Sequence, residues 1–243
     1  MKKTALVTGA NHGLGLSLTK TFLERGFTVF AGVYKLNVNS LIQEIKDREG
    51  LFIVDMDVSD TQSVEKSADY VKETVQSLDI LVNNAAILCK DSYDKTNRTV
   101  LDSQDFDSML EAFNVNALGA LRVASAFSSI LLKGNEKLLI NISSEAGSIE
   151  DCRRNAWFGY CMSKTAMNMA GTIIQNEYIK HGGKVWQIQP GWMQTYMHGT
   201  KYEEATQTPD YTAEQIYKLI EDIDLYESGK AVFMDIYGKP LPW

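Results

Sequence analysis

Short apolar runs that alternate with longer amphipathic stretches are the feature of this chain that most restricts its fold. The apolar runs are predicted to be strands: Thr4–Thr8, Thr28–Val33, Leu51–Val54, Ile80–Val82, Leu138–Ile142, Lys184–Ile188 and Ala231–Phe233. Helical spacing of apolar residues predicts helices between them: Leu14–Arg25, Thr61–Gln76, Gln104–Leu132, Gly159–Lys180 and Ala213–Leu225. The strands are almost continuously hydrophobic, which is typical of strands covered on both faces. The alternation predicts an α/β fold with a doubly wound, mostly parallel, seven-stranded sheet and helices on both faces.

The chain shows no internal repeat and no linker rich in proline or glycine, so a single domain over residues 1–243 is expected. Ser103 is predicted to cap the long helix that ends near Gly134. Two segments, Ala85–Asp102 and Pro190–Tyr211, have no regular pattern and follow the carboxyl ends of strands. Open α/β sheets bind ligands at that edge, and the second segment is predicted to form a lid over residues 190–211.

Composition excludes several other classes of function. With 24 basic and 31 acidic side chains, the net charge of -7 argues against nucleic-acid binding. No apolar stretch approaches the ~18 residues of a membrane span, and the first apolar run stops too early for a secretory signal, so a cytoplasmic protein without a membrane partner is expected. The three cysteines and three histidines show no metal-ligand spacing, which favours reduced thiols and no metal.

A glycine-rich turn follows the first predicted strand and leads directly into a helix. It contains Gly9, Gly13 and Gly15 within Thr8–Gly15. Glycines let the backbone turn tightly and approach a pyrophosphate, whose charge is favoured by a helix amino terminus. A structural strand-to-helix corner is the alternative for such a turn when it is considered by itself.

Tyr160 and Lys164 are four residues apart on a predicted helix, so their side chains share one face. A tyrosine titrates near ~10 and needs a neighbouring positive charge to act as an acid and base at neutral pH. The lysine ammonium supplies that charge. Such a pair is common on helices, and by itself it favours a catalytic site no more than a structural one.

The order of further motifs along the chain resembles the short-chain dehydrogenase/reductase family, which has a Rossmann fold. The turn Thr8–Gly15 matches its T-G-x-x-x-G-x-G pattern, and Tyr160–Lys164 matches its Y-x-x-x-K. Asn83–Ala86 resembles its N-N-A-G, with Ala86 in place of the last glycine. The remaining matches are Asn116, Ser144, Pro190, Gly191 and Thr195.

This resemblance implies a catalytic tetrad of Asn116, Ser144, Tyr160 and Lys164. Tyr160 is the acid and base, Ser144 holds the substrate oxygen, and Asn116 anchors a water that links Lys164 to solvent. The implied cofactor-binding residues are Gly9, Asn11, His12, Gly13, Leu14, Gly15, Tyr34, Lys35, Asp57, Val58, Asn84, Ala85, Ala86, Tyr160, Lys164, Pro190, Gly191 and Thr195.

The long interval between Ser144 and Tyr160 resembles the C-factor and sniffer-type carbonyl reductase branch of the family, as does the carboxyl-terminal segment 229–243. The pair Arg153-Arg154 departs from the small residues usual there. No acid follows the second strand to repel a 2′-phosphate, and Lys35 and His12 are candidates to bind one. NADP(H) is therefore favoured, and NAD(H) stays open.

The predicted reaction is the reduction of an apolar aldehyde or ketone, because four apolar or aromatic residues lie in the segment after the sixth strand. They are Trp192, Met193, Tyr196 and Met197. The alternatives are an NAD-dependent secondary-alcohol dehydrogenase, a signalling or regulatory protein of C-factor type that binds NAD(P), and a structural subunit without cofactor. A homodimer or homotetramer is the expected assembly if pairing uses the two long helices, as it often does in related enzymes, although a monomer stays open.

Overall fold

The architecture was described from a computed structural model, which covers residues 2–35, 40–93, 98–195, 197, 202–226 and 229–243. Its centre is one seven-stranded sheet in the order β3-β2-β1-β4-β5-β6-β7, and every strand pair is parallel. The strands are β1 (Thr4–Thr8), β2 (Thr28–Val33), β3 (Leu51–Asp55), β4 (Ile80–Asn83), β5 (Leu138–Ile142), β6 (Lys184–Gln189) and β7 (Val232–Asp235). The predicted doubly wound sheet is confirmed.

The helices that cover this sheet are α1 (Gly13–Glu24), α2 (Thr61–Thr74), α3 (Lys90–Tyr93), α4 (Phe106–Phe113), α5 (Ala120–Leu131), α6 (Phe158–Tyr178) and α7 (Pro209–Glu221). Short 3₁₀ turns lie at Leu41–Ile45, Glu145–Gly147, Ile179–His181 and Ile223–Leu225. Four of the five predicted helices are present, with ends that differ by a few residues, and the fifth, Gln104–Leu132, is divided into α4 and α5. The short α3 was not predicted, and it interrupts the segment expected to be irregular.

Two helix starts differ from the prediction for a clear reason. Asp105, not Ser103, caps α4, because its carboxylate accepts a hydrogen bond of 3.0 Å from the Ser108 amide. Thr208 caps α7 in the same way, and Pro209 occupies the first turn, where its missing N–H costs nothing. The irregular segment after β6 therefore ends at Thr208 and not at Tyr211.

A wide π-helical turn at Asn114–Gly119 joins α4 to α5, where one uninterrupted helix over Gln104–Leu132 was predicted. Such turns insert an extra residue into a helix, commonly at functional sites. Here the turn contains Asn116, whose side chain is fully buried. The helical periodicity of the sequence continues through this turn, so the pattern did not reveal it.

The core lies on both faces of the sheet. Alternate residues of β1 point to opposite faces, so Ala5 and Val7 pack with residues of α1 and α7, whereas Leu6 packs with residues of α2 and α5. Because helices cover both faces of the sheet, a ligand site is expected at the edge where the strands end. The carboxyl ends of β1, β4, β5 and β6 meet at one such edge.

Candidate active site

A cavity of about 890 Å³ opens at the carboxyl ends of the strands. Most of the predicted site residues line it: Gly9, Asn11, His12, Gly13, Leu14, Tyr34, Asp57, Val58, Asn84, Ala85, Ala86, Ser144, Tyr160, Lys164, Pro190, Gly191, Trp192, Met193, Thr195 and Met197. Gly15, Lys35 and Asn116 do not line it. Tyr196 lies outside the described residues. Residues scattered over the whole sequence thus meet in one space.

The glycine turn forms one end of this cavity. Gly9 and Gly13 have φ values of 67° and 56°, which side-chain-bearing residues rarely adopt. Gly15 lies behind the turn, where a Cβ atom would overlap the Gly9 carbonyl oxygen. Gly15 therefore permits the close packing of the turn rather than contacting a ligand, and α1 begins with its amide groups at the cavity.

Asn84 and Thr8 hold that turn against the end of β4. The side-chain amide of Asn84 donates to the Thr8 carbonyl at 2.9 Å, and the Thr8 hydroxyl accepts from the amides of Asn84 and Ala85 at 3.0 and 3.1 Å. Ala86, at the position where a glycine was expected from the resemblance, still lines the cavity. These contacts fix the backbone amides at the floor of the cavity.

The wall after β2 is formed by Tyr34, whose backbone is fixed by Asn11. The Asn11 side chain accepts from the Tyr34 amide and donates to its carbonyl, both at 3.1 Å. The Lys35 ammonium lies 4.8 Å from the centre of the Tyr34 ring, outside the cavity lining. After the neighbouring strand β3, the Asp57 carboxylate accepts hydrogen bonds from the Ser59 amide and hydroxyl at 2.9 and 2.6 Å.

Ser144, Tyr160 and Lys164 meet at the opposite end of the cavity. The buried Lys164 ammonium donates to the Ile142 carbonyl at 2.8 Å and lies 5.7 Å from the centre of the Tyr160 ring. Burial lowers the pKa of Lys164 to about 7. Burial and, to a smaller extent, the Glu145 carboxylate raise the pKa of Tyr160. A hydrogen bond from Ser144 lowers this pKa and so opposes part of the rise. The phenol is therefore held in its protonated form in the protein alone.

The Asn116 side chain bonds to the segment after β4 and to α6. Its amide donates to the Ile87 carbonyl at 2.9 Å and to the Ser163 hydroxyl at 3.0 Å, and its oxygen accepts from the Ile87 amide at 2.8 Å. These contacts fix the segment after β4 against α6. The side chain is thus a clamp between two walls of the site, and its link to Lys164 through a water stays a prediction.

Several lining residues were not predicted. Glu145 follows Ser144 directly and forms an ion pair of 2.5 Å with Arg154. The Arg154 guanidinium lies 5.8 Å from the centre of the Trp157 ring, which stands edge-on to Tyr160. Tyr202 completes the apolar wall with Trp192, and Ile87 and Leu88 line the same space. The one signal for the ion pair was the presence of arginines in the long interval after Ser144.

Within the described part of the chain, no group of three metal-ligating side chains comes together. In that same part, no helix is long and apolar enough to cross a membrane. The residues that are present fit a nicotinamide dinucleotide, because a glycine cradle at a helix amino terminus and a Tyr–Lys pair lie at the two ends of one cavity.

Comparison with known proteins identifies the class. Residues 3–206 match the family model for short chain dehydrogenases, so the chain belongs to the short-chain dehydrogenase/reductase family and is an oxidoreductase. An uncharacterized oxidoreductase of Schizosaccharomyces pombe is 28% identical over 98% of this chain and 96% of its own length. The C-signal protein of Myxococcus xanthus is 30% identical over 68% of this chain and 93% of its own length.

Solved structures place the chain beside the carbonyl reductases. The NADPH-bound carbonyl reductase from chicken fatty liver superposes with a TM-score of 0.85 and 28% identity, covering 100% of this chain and 94% of that one. The Drosophila melanogaster carbonyl reductase Sniffer gives a TM-score of 0.87 over both full chains, and at 24% identity it establishes the fold. The predicted family, and its resemblance to this branch, are confirmed.

Proposed function

We propose that this chain reduces an apolar aldehyde or ketone to the alcohol, with NADPH as the cofactor and Tyr160 as the proton donor. The observation that carries this proposal is the convergence of Ser144, Tyr160 and Lys164 in the same cavity as the glycine turn. A nicotinamide cofactor supplies the hydride when it is bound. The protein must then bind the carbonyl, orient it and give its oxygen a proton.

The surroundings of Tyr160 suit it to donate that proton. Its pKa is raised by burial and by the nearby Glu145 carboxylate, so the phenol carries its proton, and it becomes an effective donor when a positive charge stabilises the phenolate that it leaves. Lys164, held by the Ile142 carbonyl, lies on the side of the ring where its charge stabilises the phenolate that remains. Ser144 interacts with the Tyr160 hydroxyl, and its own hydroxyl would orient the substrate oxygen by exchanging one of its present protein partners for it.

The walls around these groups favour an apolar substrate. Trp157, Trp192, Met193 and Tyr202 line the cavity beside the catalytic end, and Trp192 packs edge-on against Tyr202 at 5.7 Å between ring centres. Apolar walls with a few convergent polar groups are typical of small-molecule sites. We propose that the segment from Pro190 to Thr208, which carries most of this wall, acts as the lid.

A preference for NADP(H) is supported by the end of β2. Tyr34 and the residues after it carry no acid that would repel a 2′-phosphate, and Lys35 adjoins the wall. His12 lines the cavity from the glycine turn. The solved carbonyl reductase from chicken, to which the chain is similar, is described with NADPH bound.

Titration of the protein with NADPH and NADH, followed by turnover of a panel of aldehydes and ketones, tests this proposal. We expect tighter binding of NADPH and turnover of apolar carbonyls. The Tyr34→Asp variant introduces a carboxylate at the wall and should weaken NADPH binding at least about tenfold while leaving NADH binding within about twofold. Equal affinity of the wild type for both cofactors would refute the preference, and the absence of any carbonyl turnover would refute the reaction.

A second candidate function is favoured by the similarity to the C-signal protein: a nicotinamide cofactor acting as the ligand of a regulatory protein. Tyr160→Phe removes the proton donor, whereas Gly13→Asp places a carboxylate in the phosphate cradle. A biological effect that survives the first change and is lost with the second supports the regulatory role. Loss with both supports catalysis.

We also propose that the chain forms a homodimer through α4, α5 and α6. Large apolar side chains on these helices are exposed, among them Leu110 at 67%, Met169 at 62% and Ile173 at 61%. Apolar surface of this extent on neighbouring helices is typical of an interface. Sedimentation should show a dimer that Ile173→Glu dissociates, and a wild-type monomer at micromolar concentration would refute the proposal.

A further inference from the structure

The Ser144 hydroxyl has all of its hydrogen-bonding capacity occupied. It donates to the Glu145 carboxylate at 2.8 Å and accepts from the Ala146 amide at 3.1 Å. Its remaining interaction is with the Tyr160 hydroxyl. A hydrogen bond from Ser144 lowers the pKa of Tyr160 by stabilising the phenolate. Because a hydroxyl has a single proton, Glu145 competes with the phenolate for that proton and so weakens this stabilisation.

Arg154 controls how strongly Glu145 acts on this chain of hydroxyls. Its guanidinium pairs with the second oxygen of the Glu145 carboxylate at 2.5 Å, and Ser144 occupies the first oxygen. Burial raises the pKa of Glu145, but the hydrogen bond from Ser144 and the pairing with Arg154 outweigh it, so the net pKa is lowered. Glu145 is therefore a negative charge near the phenol at neutral pH, partly compensated by Arg154 and screened by solvent because its side chain is 52% exposed.

We propose that Glu145, acting through Ser144 and balanced by Arg154, is a positioning residue that holds Tyr160 in its protonated, proton-donating form. The proposal rests on the proposed carbonyl reduction. In that reaction a bound nicotinamide cofactor would supply the hydride to the carbonyl carbon, the C=O electron pair would take the Tyr160 proton, and the resulting phenolate would regain a proton from solvent. A negative charge beside the phenolate makes the phenolate costlier to form, so the protonated phenol that reduction requires persists to higher pH.

Other titratable groups surround Tyr160 and must be separated from Glu145. Lys164 and Cys161 face it from α6, and the charge of a Cys161 thiolate acts in the same direction as that of Glu145. Glu111 and His12 line the same cavity from α4 and the glycine turn. The experiment therefore changes the charge at two positions of opposite sign.

The test is the pH profile of kcat/KM for carbonyl reduction at saturating NADPH in two variants. Glu145→Gln removes the negative charge, so the phenolate becomes easier to form and the high-pH limit of activity should move down by about half to one pH unit. Arg154→Met removes the compensating positive charge and should move the same limit up by about half a pH unit. Glu145→Asp, which keeps the charge, should restore most of the wild-type profile.

Matched controls lie in the same loop. Glu150→Gln and Arg153→Met make the same changes of charge at exposed residues that do not line the cavity, and they should leave the profile unchanged. The series is repeated in a protein that carries Cys161→Ser, which removes the neighbouring thiol. If Glu145→Gln no longer shifts the pH profile in the protein that carries Cys161→Ser, the thiol and not Glu145 is responsible for the shift, and the proposal fails.

The two failures are distinguishable. A wild type that turns over no carbonyl overturns the proposed function. An active wild type whose profile is unmoved in both variants, or moves in the same direction in both, overturns the role of Glu145 alone, because a merely structural pair cannot produce opposite shifts.

Discussion

Lys164, which we propose takes part in catalysis, is predicted to destabilise the folded protein. Its ammonium is buried in the core at 2% exposure, and burial lowers its pKa from 10.5 to about 7. At about 1.4 kcal/mol for each pKa unit, the difference corresponds to about 5 kcal/mol of unfavourable free energy when both states are protonated. Lys164→Met removes the charge and keeps most of the volume, so it should stabilise the nucleotide-free protein.

The pH dependence follows from the direction of the shift. Between pH 7 and pH 10.5 the unfolded chain binds the Lys164 proton and the folded protein does not, so wild-type stability rises with pH in this window. The free-energy cost of burying Lys164 in the folded protein falls from about 4–5 kcal/mol below pH 7 to about 2 kcal/mol at pH 9. Loss of the hydrogen bond to the Ile142 carbonyl costs the variant about 1 kcal/mol at every pH.

Urea unfolding of the wild type and of Lys164→Met, measured on nucleotide-free protein from pH 6 to pH 9, tests this calculation. The gain in the free energy of unfolding should be about 3 kcal/mol near pH 6.5 and about 1 kcal/mol at pH 9. Lys66→Met, at an exposed position on α2, serves as the control and should show no pH-dependent gain. A gain that does not change with pH, or a loss of stability throughout, would refute the burial of a charge at this site.

Two further substitutions separate binding from support of the fold. Gly15→Ala places a Cβ atom against the Gly9 carbonyl oxygen, so the glycine turn must shift, and NADPH affinity should fall at least about tenfold in a fluorescence titration. The control variant Gly229→Ala, which has open space around the new methyl group, should bind NADPH normally. Equal affinities of the two variants would refute the close packing of the turn. Asn116→Ala leaves the backbone amide and carbonyl of Ile87 without their side-chain partner. The free energy of unfolding, measured with urea, should therefore fall by about 2–4 kcal/mol. A loss below about 0.5 kcal/mol would show that the contacts of Asn116 contribute little to stability.

Much of the fold was readable from the sequence because its signals are local. The continuous apolar runs identify buried strands, and Thr4–Thr8, Thr28–Val33 and Leu138–Ile142 match the structure at both ends. The ends of helices were less accurate, since capping depends on one side chain at a turn. Asp105 caps α4 although Ser103 is an equally suitable residue type, because the geometry of the preceding turn brings Asp105 to the amide of Ser108.

The cavity was readable only in part because its walls come from segments distant in sequence. Motif spacing identified Gly9, Gly13, Ser144, Tyr160 and Lys164, all of which line the cavity. It could not show that the Asn116 side chain is used up by Ile87 and Ser163, because these bonds depend on the π-helical turn. Placement of the Glu145–Arg154 pair likewise depends on how the loop after β5 folds back on itself.

The most direct measurement is carbonyl reduction by Tyr160→Phe compared with the wild type, with NADPH affinity determined on both proteins. Loss of a general acid typically lowers the rate about 10²–10⁴-fold, so kcat/KM should fall at least about a hundredfold. The ring remains, and NADPH affinity should stay within about twofold of the wild-type value. Retention of full turnover on every carbonyl that the wild type reduces would contradict the role of Tyr160 as the proton donor.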